Sequence, residues 1–461
     1  MEVQVQQKLF NDRMAIQKGH RPVEVIPRWK IDGIESMIVE GVETYLGEVR
    51  NFKSHITLQT GLPAHLSMSW TKMPAGRELP EHFHPCPSMI IVTRGRGQST
   101  GDTQIEIEEG DVIWIPEWNS HGFKGLGEFG FEALSVQFQK TAIFESVDFP
   151  ETTYQELQKT PLDERQLKVI GRLSLPALNE LQTENGEVKN LGVVKGFSGH
   201  PLLKEKCPDF FSAAWVQLQG GQRLEPHVHD VDSMIIVTNG EGRLLGSESM
   251  NLKTGDTVFV PKGQSHGFEG VGDGFWGLSI QFEPESLYDA RDDRNVRFLS
   301  PYDQFLEKNE QLAQEFHNNP VFQISSAELE ENPSKRTALL DCLQVMSNHF
   351  QRLMYARMAL SDREEYHSVF LEHFLEELGH NQDLATERGR VSPGWNPILE
   401  ASASWFVFKN TLLDDPSRIV MIQMVLEKGA SVFYSHFSKI LMGDMKSDHI
   451  LKHCDADEGH D

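Results

Sequence analysis

The feature that most constrains this chain is a stretch that occurs twice. The segment from Gly76 to Gly125 returns as Gly221 to Gly270, at a constant offset of 145 residues and without a gap, and 21 of the 50 aligned positions are identical. A 461-residue chain with that internal match contains a duplicated domain. The matches fall on particular residue types. His82, His84 and His121 align with His227, His229 and His266. The run from Ser88 to Thr93 aligns with Ser233 to Thr238, Gly110-Asp111 with Gly255-Asp256, and Pro116 with Pro261. Repeated histidines beside repeated glycines indicate a duplicated site as well as a duplicated scaffold.

Each copy reads as β. Met89 to Thr93 is a short, apolar, β-branched run followed by Gly95 and Gly97. Val112 to Ile115 is another, entered through Gly110-Asp111 and closed by Pro116. Such runs between glycine turns predict a sandwich or barrel of short antiparallel strands. Leu134 to Phe138 returns as Leu278 to Phe282 at an offset of 144 and reads as a closing strand. Its Gln137 and Gln281 either face the pockets or sit on an edge. Residues two apart on a strand share a face, so His82/His84 and His227/His229 each set two imidazoles side by side. His121 or His266 follows on the next glycine-bounded strand. Three converging imidazoles can hold a first-row divalent metal and leave positions open. The alternative is a metal-free barrel with three inward polar residues.

Charge narrows the partners. The net charge of −25 argues against nucleic acid or an anionic membrane, both of which need a basic surface. No apolar run approaches the roughly 20 residues of a membrane span. The opening MEVQVQQKLFNDRM lacks the apolar centre of a signal peptide. Cys86, Cys207, Cys342 and Cys454 have neither pairing nor zinc-type spacing. The expectation is a soluble, reduced, cytoplasmic protein.

The patterns Gly76-x5-His82-x-His84-x3-Ser88-x6-Gly95 and Gly110-x5-Pro116-x-Trp118-x2-His121 resemble the two signature motifs of cupins. So do Gly221-x5-His227-x-His229-x3-Ser233-x6-Gly240 and Gly255-x5-Pro261-x-Gly263-x2-His266. The resemblance implies a bicupin, two tandem cupin β-barrels with a metal site inside each, as domains 1–150 and 151–290. It departs from the family at Ser88 and Ser233, where cupins usually carry a glutamate ligand. What remains is a three-histidine set in each barrel.

From about Ser300 glycine becomes sparse and helical spacing takes over. Residues 291–333 read as a connector and 334–461 as an all-α helical bundle of five or more helices. Ser334 reads as an N-cap, and Leu339, Leu343, Met346, Phe350 and Leu353 follow as an apolar stripe. Ser361-x-x-Glu364 has the form of a capping box. Asn396-Pro397 opens a helix with proline at its first position. A long, mostly apolar helix spans Ile419 to Leu441 and carries Glu427, which should be buried and therefore paired or metal-bound. His373, Glu377 and His380 stand at i, i+4 and i+7, as do His453, Asp457 and His460. His367, His436 and His449 lack partners at ligand spacing.

Glu377-x2-His380, Glu427 and His453-x3-Asp457-x2-His460 resemble the ligand helices of the haem-oxygenase-like di-iron oxidases. The resemblance implies two irons that activate dioxygen, held by Glu377, His380, Glu427, His453, Asp457 and His460, with His373 a seventh candidate. The sequence stops one residue after His460, where relatives continue the helix. The expectation is that metal and a neighbouring subunit hold that turn, or that the end of the domain is lacking.

The leading expectation is a non-haem Fe(II) oxidase or oxygenase acting on a small-molecule substrate with O2. It places a di-iron site in the bundle and a mononuclear metal in each cupin, with a homodimer among the open possibilities. Two alternatives stand beside it. One is a mono-iron, three-histidine cupin dioxygenase with a structural helical domain. The other is a non-catalytic, ligand-binding bicupin.

Overall fold

The computed structural model describes residues 21–39, 42–138, 165–183, 186–246, 249–282, 296–361 and 363–442. His453, Asp457, His460, His449 and Cys454 lie outside them. The chain divides into two compact units, Met1–Gln304 and Phe305–Asp461. The expected fold class holds: two tandem antiparallel barrels of cupin type, then a helical region.

Each barrel is built on a 10-stranded sheet. In the first, the strand Ser88–Gly101 pairs with Asp111–Ile115 on one side and Phe131–Gln137 on the other. Phe131–Gln137 also pairs with Ser67–Met73. It is therefore an interior strand, not a closing one. Alternation along Ser88–Gly101 sorts the side chains. Val92 joins Ile113, Ile115, Phe123 and Phe131 in the interior of the first barrel. Met89 and Ile91 turn the other way, into a core with Trp70, Trp215, Met234 and Ile236 that draws on both barrels.

The barrels also exchange strands. Glu24–Pro27, ahead of the first barrel, pairs with Asp256–Val260 of the second. Lys168–Gly171, ahead of the second, pairs with Asp111–Ile115 of the first. An arginine follows each arm. Arg28 lies over the Trp70 ring, 4.7 Å from its centroid, and donates to Glu132 Oε2 at 3.0 Å. Arg172 lies 4.0 Å from the Trp276 centroid. The glycines of the repeated Gly-Asp pair admit these arms. Gly110 and Gly255 have φ of 96° and 93°, and a Cβ at either would stand 3.1 or 3.3 Å from Arg172 or Arg28. The segments 1–150 and 151–290 thus each lend a strand to the other, and the second barrel continues past 290 through Val296–Phe298, paired with Arg223–His229.

In the helical unit the long helix Pro333–Leu360 carries the apolar stripe. Its N-cap is Asn332 rather than Ser334, with Pro333 at the first position and the Asn332 side chain accepting from the Lys335 amide. The box at Ser361 does not form: the helix Glu364–Glu377 starts after Arg363 without a side-chain cap. The Ser361 hydroxyl instead donates to Asp415 Oδ2 at 3.3 Å. Asn396 caps Pro397–Asn410 through the Ile398 and Leu399 amides, as the sequence predicts. The long helix expected from Ile419 is interrupted in type. Asp415–Ile419 is α-helical, Val420–Leu426 is π-helical, and Glu427–Met442 is α-helical again.

Candidate metal centres

The strand Glu78–His82 pairs with His121–Gly125 and sets His82 opposite His121. Arg223–His229 pairs with His266–Gln281 and sets His227 opposite His266. His84 lies just beyond its strand, whereas His229 ends its own. The ring centroids of His82 and His84 lie 4.5 and 5.0 Å from that of His121. The corresponding distances to His266 are 4.3 and 4.7 Å. Within each triad, the three nitrogen ligand atoms lie within 4.8 Å of one another.

The orientation of every ring is set by a backbone carbonyl. Nδ1 of His82, His84 and His121 bonds the carbonyls of Pro80, Cys86 and Asn119 at 3.0, 2.7 and 2.9 Å. Nδ1 of His227, His229 and His266 bonds those of Glu225, Val231 and Gln264 at 3.0, 2.8 and 3.0 Å. A carbonyl only accepts, so Nδ1 carries the proton and Nε2 keeps its lone pair. This is how a metal-binding imidazole is usually held.

Burial keeps the rings neutral. It pulls His84 down to about 4, with His82 adding to the effect, and pulls His121 well below the usual histidine range. In the second barrel it pulls His227 to about 4 and His266 well below that range. His82 and His229 are lowered by the same cause. Six neutral imidazoles in two groups of three, all buried except the half-buried His82, fit a divalent first-row ion in each.

Ser88 Oγ lies 3.4 Å from His84 Nε2, and Ser233 Oγ lies 3.2 Å from His229 Nε2. Each triad thus has a hydroxyl where the cupin motif carries glutamate, and no carboxylate joins the cluster among the described residues. A cavity of ≈ 60 Å³ adjoins the first triad, with Ser88, Ser135 and Gln137 among its lining residues. A cavity of ≈ 40 Å³ in the second barrel is lined by His227 and apolar side chains, including Leu181 and Phe298. Gln137 therefore faces a pocket, while Gln281 is buried but is not part of that lining. Trp118 adopts φ 62° where the second copy has Gly263 at 74°, so the first barrel holds a bulky residue in a conformation that favours glycine.

The helical unit brings part of the remaining set together. The helix that carries Glu377 ends there. Gly379 turns left-handed at φ 93°, and His380 opens the next helix. The i, i+4, i+7 face is therefore broken, although His380 Nδ1 still reaches Glu377 Oε2 at 2.9 Å. Glu427 is half-buried rather than buried, and it bonds His373 Nε2 at 3.1 Å. Arg357, fully buried, donates through Nη2 to His373 Nδ1 at 3.1 Å. Burial pulls its guanidinium down to about 10 against the opposing charge of Glu427, so it stays cationic at neutral pH. Sequence reasoning missed Arg357. The signal was its place, four residues after Leu353 on the apolar stripe. It also missed His349, whose Nε2 lies 2.8 Å from Glu400 Oε2. No metal-type cluster forms in this unit among the described residues.

Residues 69–137 and 214–274 match the family described as Cupin domain. An uncharacterized protein of Rickettsia prowazekii (strain Madrid E) is 28% identical over 153 residues, 33% of this chain and 73% of that protein. Among solved structures, this chain is similar to oxalate decarboxylase from Bacillus subtilis, including a study of its Mn(II) centres. That match is 17% identical, has a TM-score of 0.38, and covers 63% of this chain and 80% of that one. Another structure of the same enzyme, determined at pH 4.6, matches at 17% identity and a TM-score of 0.39.

Proposed function

We propose that the barrels are the metal centres of a non-haem Fe(II) enzyme that uses O2 to oxidise a small molecule. The observation that carries the reading is the common hydrogen bond of the six histidines, each with Nδ1 bonded to a carbonyl, which leaves Nε2 available as the ligand atom of its triad. His82, His84 and His121 would hold one ion, and His227, His229 and His266 the other. Bound there, the ion supplies Lewis-acid and redox chemistry. Three neutral donors leave its double charge intact, which favours an anionic oxygen donor from the substrate. In the first barrel, Ser88 and Gln137 are placed to orient that group by hydrogen bonds, while Leu79, Phe123 and Phe131 exclude water. A cavity of ≈ 60 Å³ admits the reacting group of a substrate rather than a large molecule whole.

The test is iron per chain after anaerobic Fe(II) loading, followed by oxygen consumption with candidate small carboxylates. His121→Ala and His266→Ala should each lose about one iron. Unchanged iron in both variants would sink the reading. A second reading places an iron pair in the helical unit, and it is favoured by Glu377 and Glu427 lining one cavity. It predicts about two further irons per chain, lost in Asp457→Ala.

A further inference from the structure

The helical unit contains a cavity of ≈ 460 Å³, within the range of small-molecule sites. Its lining is mostly apolar and rich in rings: Phe316, Phe350, Phe406, Phe433 and Tyr434 all contribute. Glu377 and Glu427 reach the same cavity from different helices.

Glu427 is built into place. It follows the π-helical turn Val420–Leu426, a backbone irregularity that concentrates at functional sites. Asn309 Nδ2 donates to the Met424 carbonyl of that turn at 2.7 Å. A relay then fixes the carboxylate. Arg357 donates to Nδ1 of His373, which leaves the imidazole proton on Nε2, and Nε2 donates to Glu427 Oε1. The relay makes His373 a positioning residue and engages one oxygen of Glu427. Lys428, also in the lining, pairs with Glu310 at 2.9 Å. Two carboxylates, Glu377 and Glu427, thus line an apolar, aromatic cavity, and the buried Arg357 guanidinium reaches Glu427 only through His373.

We propose that the cavity binds an apolar organic cation, with its charged head against Glu427 and the aromatic rings. Carboxylates attract a cation, and ring faces add to that attraction most strongly where water is excluded. An anionic head would meet two like charges. The proposal is independent of the barrel metals and is an alternative to an iron pair in the same cavity.

The test uses the full chain with a metal chelator, titrated with decyltrimethylammonium, decanol and decanoate below their micelle concentrations. The cation should bind about tenfold more tightly than the alcohol, and decanoate most weakly. Glu427→Gln should erase that preference while decanol binding stays within about twofold, which reports an intact cavity. If Glu427→Gln does not fold, the order of the three probes on the native chain decides. The proposal is overturned if decanoate binds as well as the cation, if the preference survives Glu427→Gln, or if none of the probes binds. Cation binding seen only after Fe(II) loading would overturn it too, in favour of the iron pair.

Discussion

A single hydrogen bond decides what each triad histidine can do. Moving a proton from Nδ1 to Nε2 would turn an available lone pair into a donor, and the carbonyls of Pro80, Cys86 and Asn119 oppose it in the first barrel. In the helical unit the same logic runs the other way at His373, whose Nδ1 accepts from Arg357. Asp415 carries the clearest acid-sensitive contact. Burial pushes its carboxyl up, but the hydrogen bond from Arg418, the Arg363 amide and the Ser361 hydroxyl outweigh burial and hold it below its ordinary 3.8. A carboxyl with a lower pKa in the folded state stabilises above its unfolded value, and that stability is lost as pH falls through the folded one. The helical signal in circular dichroism should therefore weaken as pH drops below about 4. Asp415→Asn should flatten that acid limb. An unaltered acid profile in the variant would show that other carboxyls set it.

At the scale of elements, the exchanged arms matter most. Ile26 is fully buried in the core that draws on both barrels, although its strand pairs with the second. Truncating a buried isoleucine to alanine costs about 2–5 kcal/mol. Ile26→Ala should lower the stability of both barrels together. Urea unfolding followed through the buried Trp70 and Trp215 should remain one transition with a lower midpoint. Two separated transitions would mean that the barrels unfold independently despite the arms. The π-helical turn is a second case. It rotates Glu427 relative to an unbroken α-helix, and Asn309 satisfies a carbonyl in the turn.

For the molecule as a whole, the division into Met1–Gln304 and Phe305–Asp461 predicts two unfolding events. Both triads lie in the first unit, so a divalent ion should stabilise only that one. At a hundred times its dissociation constant, an ion adds about 2.7 kcal/mol per site. Calorimetry with and without Fe(II), under argon, should move one transition upward and leave the other in place. Movement of the helical transition, abolished by Asp457→Ala, would instead favour the iron pair.

Much of this was legible in the chain. A 145-residue offset that keeps three histidines, a Gly-Asp pair and an apolar run announces two barrels with a histidine triad in each, because strand alternation and glycine turns act locally. Asn396-Pro397 marked its helix start for the same reason. Legibility failed where partners are distant. The i, i+4, i+7 spacing of His373, Glu377 and His380 assumed one helix, and Gly379 ends it. The strand exchange leaves no spacing to read, since Glu24 meets Phe259 across most of two domains. Sequence by itself determined the scaffold, its duplication and the six triad histidines. Only the tertiary structure decided which nitrogen of each ring faces inward, which barrel each arm completes, and that Arg357, His373 and Glu427 form one relay. Local patterns follow from the periodicity of a strand or helix, but hydrogen bonds between residues far apart in the chain follow from packing.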